Sequence, residues 1–284
     1  MKSIWSIEIA GRLPMIRVRQ FIDNPAYIWH FCKRFFWYKR ISHRYIPLYR
    51  DFTFLPGSET IKKLLNERLC LARFSDGEID LMTGMGVFDP GMAWSQSYSH
   101  ALQEALEQSV AASHPRLLVA HTAPGKFLLS REEAEKHGVS YTMWTDTRML
   151  LHKYLKPGVA YGDAHSFIPR DNPEIDWREI RRFLKAYDVV VVTGGVESLR
   201  RVDLGRRTFF IEAGKHDAFS RYDNIVSDIM NLMIKEGLSK EHTLIMASLG
   251  PTASVLAVDL CRRGYFIWDS GHIFKYAASQ FVKS

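Results

Sequence analysis

The stretch "DVVVVTGG", residues 188–195, decides the fold class of this 284-residue chain. Its four consecutive valines lack the alternation of apolar and polar residues that marks a strand with one face in water. An uninterrupted β-branched run that ends in glycines is typical of a parallel strand buried on both faces. The stretch therefore predicts an α/β protein built on a parallel sheet.

Strands and helices alternate on both sides of this stretch, from about residue 58 onward. The other predicted strands are 69–74, 116–122, 158–164, 207–213, 242–250 and 265–271. The predicted helices are 58–67, 97–112, 145–155 (with Thr145 as its cap), 177–187, 220–236 and 251–264. This order predicts βαβ units, and hence a mostly parallel sheet with helices on both faces. Such sheets bind ligands at the carboxyl ends of their strands.

The charge of the chain is concentrated at its beginning. The net charge is +7, yet residues 1–50 alone carry +8, so that residues 51–284 sum to −1. The first fifty residues also hold 11 of the 36 aromatic residues. The composition therefore predicts two parts: a basic, aromatic-rich N-terminal segment (residues 1–50) and an α/β domain (residues 51–284).

The N-terminal segment has three interpretations. In "WHFCKRFFWYKR", residues 29–40, aromatic and basic side chains are interleaved. This mixture suits the headgroup level of an anionic membrane surface. Nucleic acid is a rival partner that we do not favour, since such segments also stack on bases. The third interpretation is that the aromatic residues pack on the α/β domain.

The sequence predicts a cytoplasmic protein, peripheral on the inner face of the membrane if the segment binds lipid. No stretch approaches the roughly 20 apolar residues of a membrane-spanning helix. Glu8 and Arg12 interrupt the first apolar stretch, which does not resemble a signal peptide. Cys32, Cys70 and Cys261 are far apart, which is typical of reduced thiols.

Carboxylates gather in "LARFSDGEIDLM", residues 71–82, where a predicted strand ends. Asp76 and Glu78 are two residues apart, and side chains at that spacing point the same way along a strand. Two such carboxylates repel each other unless a cation lies between them, and Mg²⁺ is typically held by one or two carboxylates together with substrate phosphates. The alternative is an Asp-Gly turn with a solvated glutamate.

A second motif, "SLGPTASVLAVDL", residues 248–260, predicts an anion site. Gly250 permits a tight turn and Pro251 begins a helix, whose free N–H groups face the strand ends. The hydroxyl groups of Thr252 and Ser254 are further candidate donors. The alternative is an ordinary Gly-Pro helix start. Likewise, Gly194 after the valine run either lets a nucleotide approach the backbone or simply forms the turn.

Two Asp/His pairs follow predicted strands. Asp269 and His272 in "WDSGHIFKY" could form an acid–base pair or bind sugar hydroxyl groups. A lone histidine is more often structural, and the same caution applies to Asp163 and His165 in "YGDAHSFIPR". For all four, a structural role is the alternative.

Five motifs follow one another along the chain: "ARFSDGEIDLM", "YGDAHSFIPR", "AFSRYDNI", "SLGPTASVLAVDL" and "DSGH". In this order they resemble the GT-D-type glycosyltransferase family over roughly residues 58–281. The resemblance implies a Rossmann-like α/β fold and a nucleotide-sugar donor, expected to be UDP-linked. It also implies an Asp-x-Glu motif on Asp76 and Glu78 that works with Mn²⁺ or Mg²⁺. The acceptor would be a glycan, a glycopeptide or a lipid-linked molecule.

These arguments predict the following site. The expected catalytic residues are Asp76, Glu78, Asp269 and His272, with Asp76 and Glu78 as metal ligands. The expected donor-binding residues are Arg73, Gly77, Gly194, Gly250, Pro251 and Thr252.

The chain departs from the family pattern at two places, and two other classes stay open. "TGGVESLRRVDLG" replaces an acidic, glycine-rich segment, and Ile273, Phe274 and Lys275 stand where the family tends to be acidic. A metal-dependent phosphohydrolase or nucleotidyl enzyme could use the same carboxylates and anion site. A non-catalytic membrane-surface or carbohydrate-binding protein is the other alternative.

Overall fold

The computed structural model describes residues 47–84, 87–88, 95–122, 149–199, 201–271, 273–274 and 281. Residues 1–46, which make up most of the N-terminal segment, lie outside the described residues. The same is true of Thr145 and His272. Tyr49 is described, and its buried ring packs against Phe52, Phe54 and His152.

The described chain forms ten strands and six α-helices. The strands are β1 (Thr53–Phe54), β2 (Cys70–Phe74), β3 (Val87–Phe88), β4 (Ser95–Gln96), β5 (Leu117–His121), β6 (Ala160–Asp163), β7 (Asp188–Thr193), β8 (Thr208–Glu212), β9 (Thr243–Ser248) and β10 (Phe266–Asp269). The helices are α1 (Gly57–Glu67), α2 (Asp76–Met82), α3 (His100–Val110), α4 (Trp177–Leu184), α5 (Tyr222–Lys235) and α6 (Pro251–Arg262). Short 3₁₀-helices cover Met149–Lys153, Val196–Leu199 and Ala218–Arg221.

Eight strands form one sheet in the order β1-β6-β5-β2-β10-β9-β7-β8, and each neighbouring pair is parallel. β3 and β4 form a separate antiparallel ribbon. The valines of β7, Val189–Val192, are fully buried between β9 and β8. The predicted α/β class and the parallel valine strand are confirmed.

Helices cover both faces of the sheet, as predicted. Crossovers between parallel strands are right-handed, so helices that lead in opposite directions along the sheet lie on opposite faces. α6 connects β9 to its neighbour β10, in the direction of β2. α5 lies on the same face of the sheet, and its Tyr222 hydroxyl donates to Asp259 of α6 at 2.8 Å. α4 leads in the other direction, and its Phe183 ring stacks on Trp268 of β10 with centroids 5.6 Å apart.

Four of the predicted helices, α3, α4, α5 and α6, are shorter in the structure, whereas α1 begins one residue earlier than predicted, at Gly57. α3 begins at His100 rather than residue 97, since the Ser99 hydroxyl accepts a hydrogen bond from the Leu102 N–H at 3.2 Å. α4 ends at Leu184, since the next residues lead directly into β7. Of the predicted helix 145–155, residues 149–155 are described, and Met149–Lys153 among them form a 3₁₀-helix.

A clamp of two arginines holds the amino end of β7. The carboxylate of Asp188, whose side chain is 3% exposed, accepts hydrogen bonds from Arg206 and Arg207, with closest distances of 2.8 and 2.7 Å. These bonds, first that from Arg207, hold the pKa of Asp188 well below its usual range. The clamp therefore ties β7 to the residues that enter β8.

No helix among the described residues has the length and apolar character that crossing a bilayer requires.

Candidate functional site

The carboxyl ends of the parallel strands meet at one edge of the sheet, called here the carboxyl edge. The residues that follow these strand ends are Ser75 after β2, Thr122 after β5, Ala164 after β6, Gly194 after β7, Leu249 after β9 and Ser270 after β10. β7 leads on to β8, whereas its neighbour β9 leads on to β10 in the opposite direction. Such a switch point in strand order opens a crevice for ligands. Gly194 and Gly250 lie beside it, because Thr193 of β7 pairs with Ser248 of β9.

Asp76 and Glu78 lie in the first turn of α2, so the expectation that both leave a strand in the same direction is wrong. Residues two apart on a helix are separated by about 200° around its axis. Glu78 instead turns back over the start of the helix, where its Oε2 accepts a hydrogen bond from the Ser75 N–H at 2.7 Å. Oδ1 of Asp76 accepts a hydrogen bond from the Ser75 hydroxyl at 2.9 Å.

Glu78 is buried, and its environment opposes a negative charge. Burial, reinforced by the nearby carboxylate of Asp269, raises the pKa of Glu78 to about 7. Glu78 is therefore a buried helix cap close to β10, and not the solvated turn residue that the sequence offers as an alternative. Asp76 is the first residue of α2, and Gly77 is the second.

Arg73 and Asp269 form the polar centre of the carboxyl edge. The guanidinium of Arg73 donates from Nε to the Asp269 carbonyl at 2.9 Å and from Nη2 to Asp269 Oδ1 at 3.1 Å. Nη1 donates to the Ala164 carbonyl at 2.9 Å. One side chain thus joins β2 and β10 to the residues that follow β6. The structure places the predicted donor-binding residue Arg73 against the predicted catalytic residue Asp269.

Asp269 is enclosed by the fold. It is 1% exposed, Oδ1 also accepts from the Gly271 N–H at 3.1 Å, and Oδ2 lies 3.1 Å from the Ser254 hydroxyl. Burial raises the pKa of Asp269, and Arg73 opposes that shift. In this geometry both oxygens are occupied, so the carboxylate positions Arg73 rather than presenting a free face to a sugar.

Gly271 completes this arrangement because the guanidinium occupies the space where a side chain would begin. A Cβ built on Gly271 would lie 1.5 Å from Arg73 Nη2, and its φ of 48° is in the left-handed region. Its neighbour His272, the other predicted catalytic residue of this motif, lies outside the described residues.

The helix start of the predicted anion site is present, but the two hydroxyl groups predicted as donors bind other parts of the protein. Gly250 precedes α6 with φ 57° and ψ −142°, a conformation that essentially only glycine adopts, and Pro251 is the first helical residue. Thr252 is fully buried and its hydroxyl donates to Gln96 at 3.2 Å. The hydroxyl of Ser254 lies 2.6 Å from the Arg73 carbonyl. The expectation that these two hydroxyls face a ligand is wrong, because both hold neighbouring segments together.

Gly194 has a structural reason to be glycine. A Cβ there would lie 2.4 Å from the carbonyl oxygen of Gly214, in the segment that follows β8. Gly194 is therefore approached closely by the protein's own backbone at Gly214, and not by the nucleotide that the sequence suggests as one alternative.

The sequence does not reveal which side chain pairs with His165 at the carboxyl edge. Its Nδ1 lies 2.8 Å from Oδ2 of Asp171, while Oδ1 of Asp163 accepts a hydrogen bond from the backbone N–H of His165, at 3.0 Å. Nε2 lies 3.5 Å from the Thr122 hydroxyl, which lies 3.2 Å from the Ser75 hydroxyl. The signal in the sequence is an acid six residues after the histidine, which is too weak to notice without the fold.

A family model, two curated relatives and two solved structures that match this chain are each described as a glycosyltransferase or as having a glycosyltransferase fold. The family model described as "Glycosyltransferase GT-D fold" matches residues 71–279. A "Probable glycosyl transferase Gly" of Streptococcus gordonii is 23% identical over 84% of this chain and 35% of its own length. "Glycosyltransferase GlyD" of Streptococcus pneumoniae is 23% identical over 76% of this chain and 26% of its own length. The chain therefore spans about a third or less of these relatives.

Solved structures share the fold. One is described as "The highly conserved domain of unknown function 1792 has a distinct glycosyltransferase fold"; it is 25% identical, with a TM-score of 0.59 over 84% of this chain and 82% of its own. "A New Glycosyltransferase (DUF1792) from Streptococcus sanguinis" is 22% identical, with a TM-score of 0.59 over 78% of this chain and 82% of its own.

Proposed function

Because the chain belongs to the GT-D glycosyltransferase family, we propose that it moves a sugar from a nucleotide diphosphate donor, UDP-linked, to a hydroxyl group of a glycan, glycopeptide or lipid-linked acceptor. The observation that carries the proposal is the cluster of Arg73, Asp76, Glu78 and Asp269 at the carboxyl ends of two adjacent strands, β2 and β10. This cluster lies within the range matched by the family model.

A divalent cation, Mn²⁺ or Mg²⁺, fits the chemistry of this cluster, because carboxylate oxygens are the ligands that hard cations prefer. Asp76 would hold it, with Glu78 contributing directly or through water. When bound, the ion would offset the negative charge that develops on the departing diphosphate. Among the described residues, no three His, Cys, Asp or Glu side chains form a metal-binding group. The donor's phosphates would therefore have to complete the coordination.

The donor would lie along the carboxyl edge, between the start of α6 and the cluster that contains Arg73 and Asp76. The start of α6 would present its positive dipole end and the backbone N–H of Thr252 to the phosphates, since Pro251 has no N–H and that of Ala253 donates to the Gly250 carbonyl at 2.9 Å. Gly250 sets the direction of that turn through its unusual backbone conformation. Arg73, held by Asp269, would add a fixed positive charge on the β2 side.

The test is donor turnover by the full chain. We expect release of nucleoside diphosphate from one member of a UDP-sugar panel with Mn²⁺, and a rise in melting temperature on binding. Asp76→Asn should abolish release while the protein stays folded. Asp223→Asn is the matched control, because Asp223 is an exposed acid in the first turn of another helix, α5.

The outcomes separate the function classes. Rapid release of free nucleotide that no acceptor accelerates would favour a phosphohydrolase or nucleotidyl enzyme. Binding of a nucleotide sugar without turnover would favour a non-catalytic carbohydrate-binding protein. Full activity of Asp76→Asn, or in excess EDTA, would refute the metal role.

One surface of the described domain supports attachment to an anionic membrane. Four cationic residues of α4 and the turn that follows line a groove of about 240 Å³: Arg178, Arg181, Arg182 and Lys185. The three guanidinium groups form no ion pair with other described residues, and Lys185 pairs with Asp203 at 3.0 Å. Each cation near an anionic surface contributes on the order of 1 kcal/mol. We propose that this groove and the N-terminal segment together hold the enzyme near a lipid-linked acceptor.

Sedimentation with anionic vesicles at low salt tests this attachment. Changing Arg178, Arg181 and Arg182 together to Gln in the full chain should move protein from the pellet to the supernatant. A control triple variant of three scattered exposed cations, Lys62, Lys235 and Arg262, loses the same charge and should sediment like the wild type. Equal sedimentation of both variants would contradict a role for the groove.

A further inference from the structure

A carboxylate–imidazole pair lies at the carboxyl edge, apart from the residues assigned above. Nδ1 of His165 lies 2.8 Å from Oδ2 of Asp171, and Arg170 Nε donates to Oδ1 of the same carboxylate at 2.8 Å. These contacts, first that with His165, hold the pKa of Asp171 well below its usual range, so the carboxylate is charged. A neutral imidazole that donates from Nδ1 to a carboxylate has its lone pair on Nε2.

Nε2 of His165 lies towards the residues that follow β5 and β2. Nε2 lies 3.5 Å from the Thr122 hydroxyl, at the outer limit of a hydrogen bond. From Thr122 a chain of hydroxyl contacts runs through Ser75, at 3.2 Å, to Oδ1 of Asp76, at 2.9 Å. The His165 side chain is 18% exposed, so part of it is accessible to solvent.

Neighbouring elements hold the backbone of His165 in place. Its N–H donates to Asp163 Oδ1 at 3.0 Å, and Arg73 Nη1 donates to the carbonyl of Ala164, the preceding residue, at 2.9 Å. The Asp163 N–H in turn donates to the Thr60 hydroxyl of α1 at 2.9 Å. The imidazole is thus positioned by β2, β6 and α1 together, as a group that acts on a bound substrate should be.

We infer that His165 is the base that activates the acceptor, an inference that rests on the proposed function. Nε2 takes the proton of the acceptor hydroxyl as its oxygen forms a bond to the anomeric carbon of the donor sugar. The bond from that carbon to the diphosphate oxygen breaks, and its electron pair stays on the nucleoside diphosphate. Asp171 stabilises the imidazolium that forms, which then releases the proton to water.

The experiment measures nucleoside diphosphate release by the full chain from a panel of UDP-hexoses and UDP-N-acetylhexosamines with Mn²⁺. His165→Asn keeps a donor for Asp171 but removes Nε2. We expect its rate with water as acceptor to fall about 100-fold, the lower end of the usual effect of a general base. Titration with UDP should give an unchanged affinity. Sodium azide, an anion that attacks without losing a proton, should restore release in this variant and form the glycosyl azide.

Two further variants keep the result interpretable. Asp171→Asn retains His165 but removes the carboxylate that fixes its tautomer, and it should also lose rate. His100→Asn is the matched control: His100 pairs with Glu104 at 3.5 Å on the exposed side of α3, and its side chain is 76% exposed. Its rate should equal that of the wild type, without acceleration by azide.

The outcomes distinguish the base from the function on which it rests. An active wild type with an equally active His165→Asn variant overturns the base. A loss of rate that azide does not restore, or that accompanies an equal loss of UDP affinity, also overturns it in favour of a structural role. A wild type that releases no nucleoside diphosphate from any donor refutes the proposed function itself, and the base with it.

Discussion

Replacing His121 with Leu is expected to remove part of the acid sensitivity of the fold. His121 ends β5 and is fully buried, with its ring centroid 5.6 Å from that of Phe74 and 5.1 Å from that of Tyr161. Neither ring nitrogen has a hydrogen-bond partner among the described residues. Burial lowers the pKa of His121 from its ordinary 6.5 to about 3, because an imidazolium cannot be solvated there.

The size and sign of the effect follow from proton linkage. The unfolded chain takes up a proton at His121 below its ordinary pKa of 6.5, whereas the folded chain does so only near 3. Folding stability from this residue is therefore complete above pH 6.5 and is lost as the pH falls towards 3. At pH 5 the difference of about 1.5 pH units corresponds to roughly 2 kcal/mol, at about 1.4 kcal/mol per unit.

Urea unfolding at pH 7 and pH 5 measures this contribution. The wild type should lose about 2 kcal/mol more unfolding free energy over this interval than His121→Leu. At pH 7 the variant should be at least as stable, because an unpaired buried polar group is replaced by an apolar side chain of similar size. His100→Leu, at an exposed histidine, should keep the wild-type pH dependence. If His121→Leu also loses stability as the wild type does, the buried neutral imidazole is not the cause.

Three further changes test the packing around the site. Asp188→Asn should lower the urea midpoint at pH 7 and flatten the loss of stability below pH 4, since the arginine clamp holds the pKa of this carboxylate low; an unchanged acid limb would contradict the clamp. Gly250→Ala should cost about 1–3 kcal/mol of unfolding free energy because of its backbone conformation, and a neutral result would exclude that strain. Gly271→Ala should displace Arg73 and reduce UDP affinity in a titration, whereas wild-type affinity would show that the guanidinium can move without consequence.

The residue pattern alone is enough to predict the sheet and which of its edges is the carboxyl edge, where sheets of this class bind ligands. A run such as Val189–Val192 is typical of a covered parallel strand, and Gly250 followed by Pro251 marks where a strand turns into a helix. These signals are local, because they depend on side-chain periodicity and on backbone angles that few residues adopt. Motif order also identified the family, which the family model over residues 71–279 confirms.

Only the tertiary structure decided what each polar side chain of that edge contacts. Asp269 and Arg73 are 196 residues apart in sequence, and their pairing encloses a carboxylate that the sequence suggests is free. Glu78 turned out to cap its own helix, and His165 to pair with Asp171 rather than Asp163. Burial and charge depend on which distant segments the fold brings together. The protonation of Glu78 and His121, and the direction in which His165 faces, therefore follow from packing that no local pattern encodes.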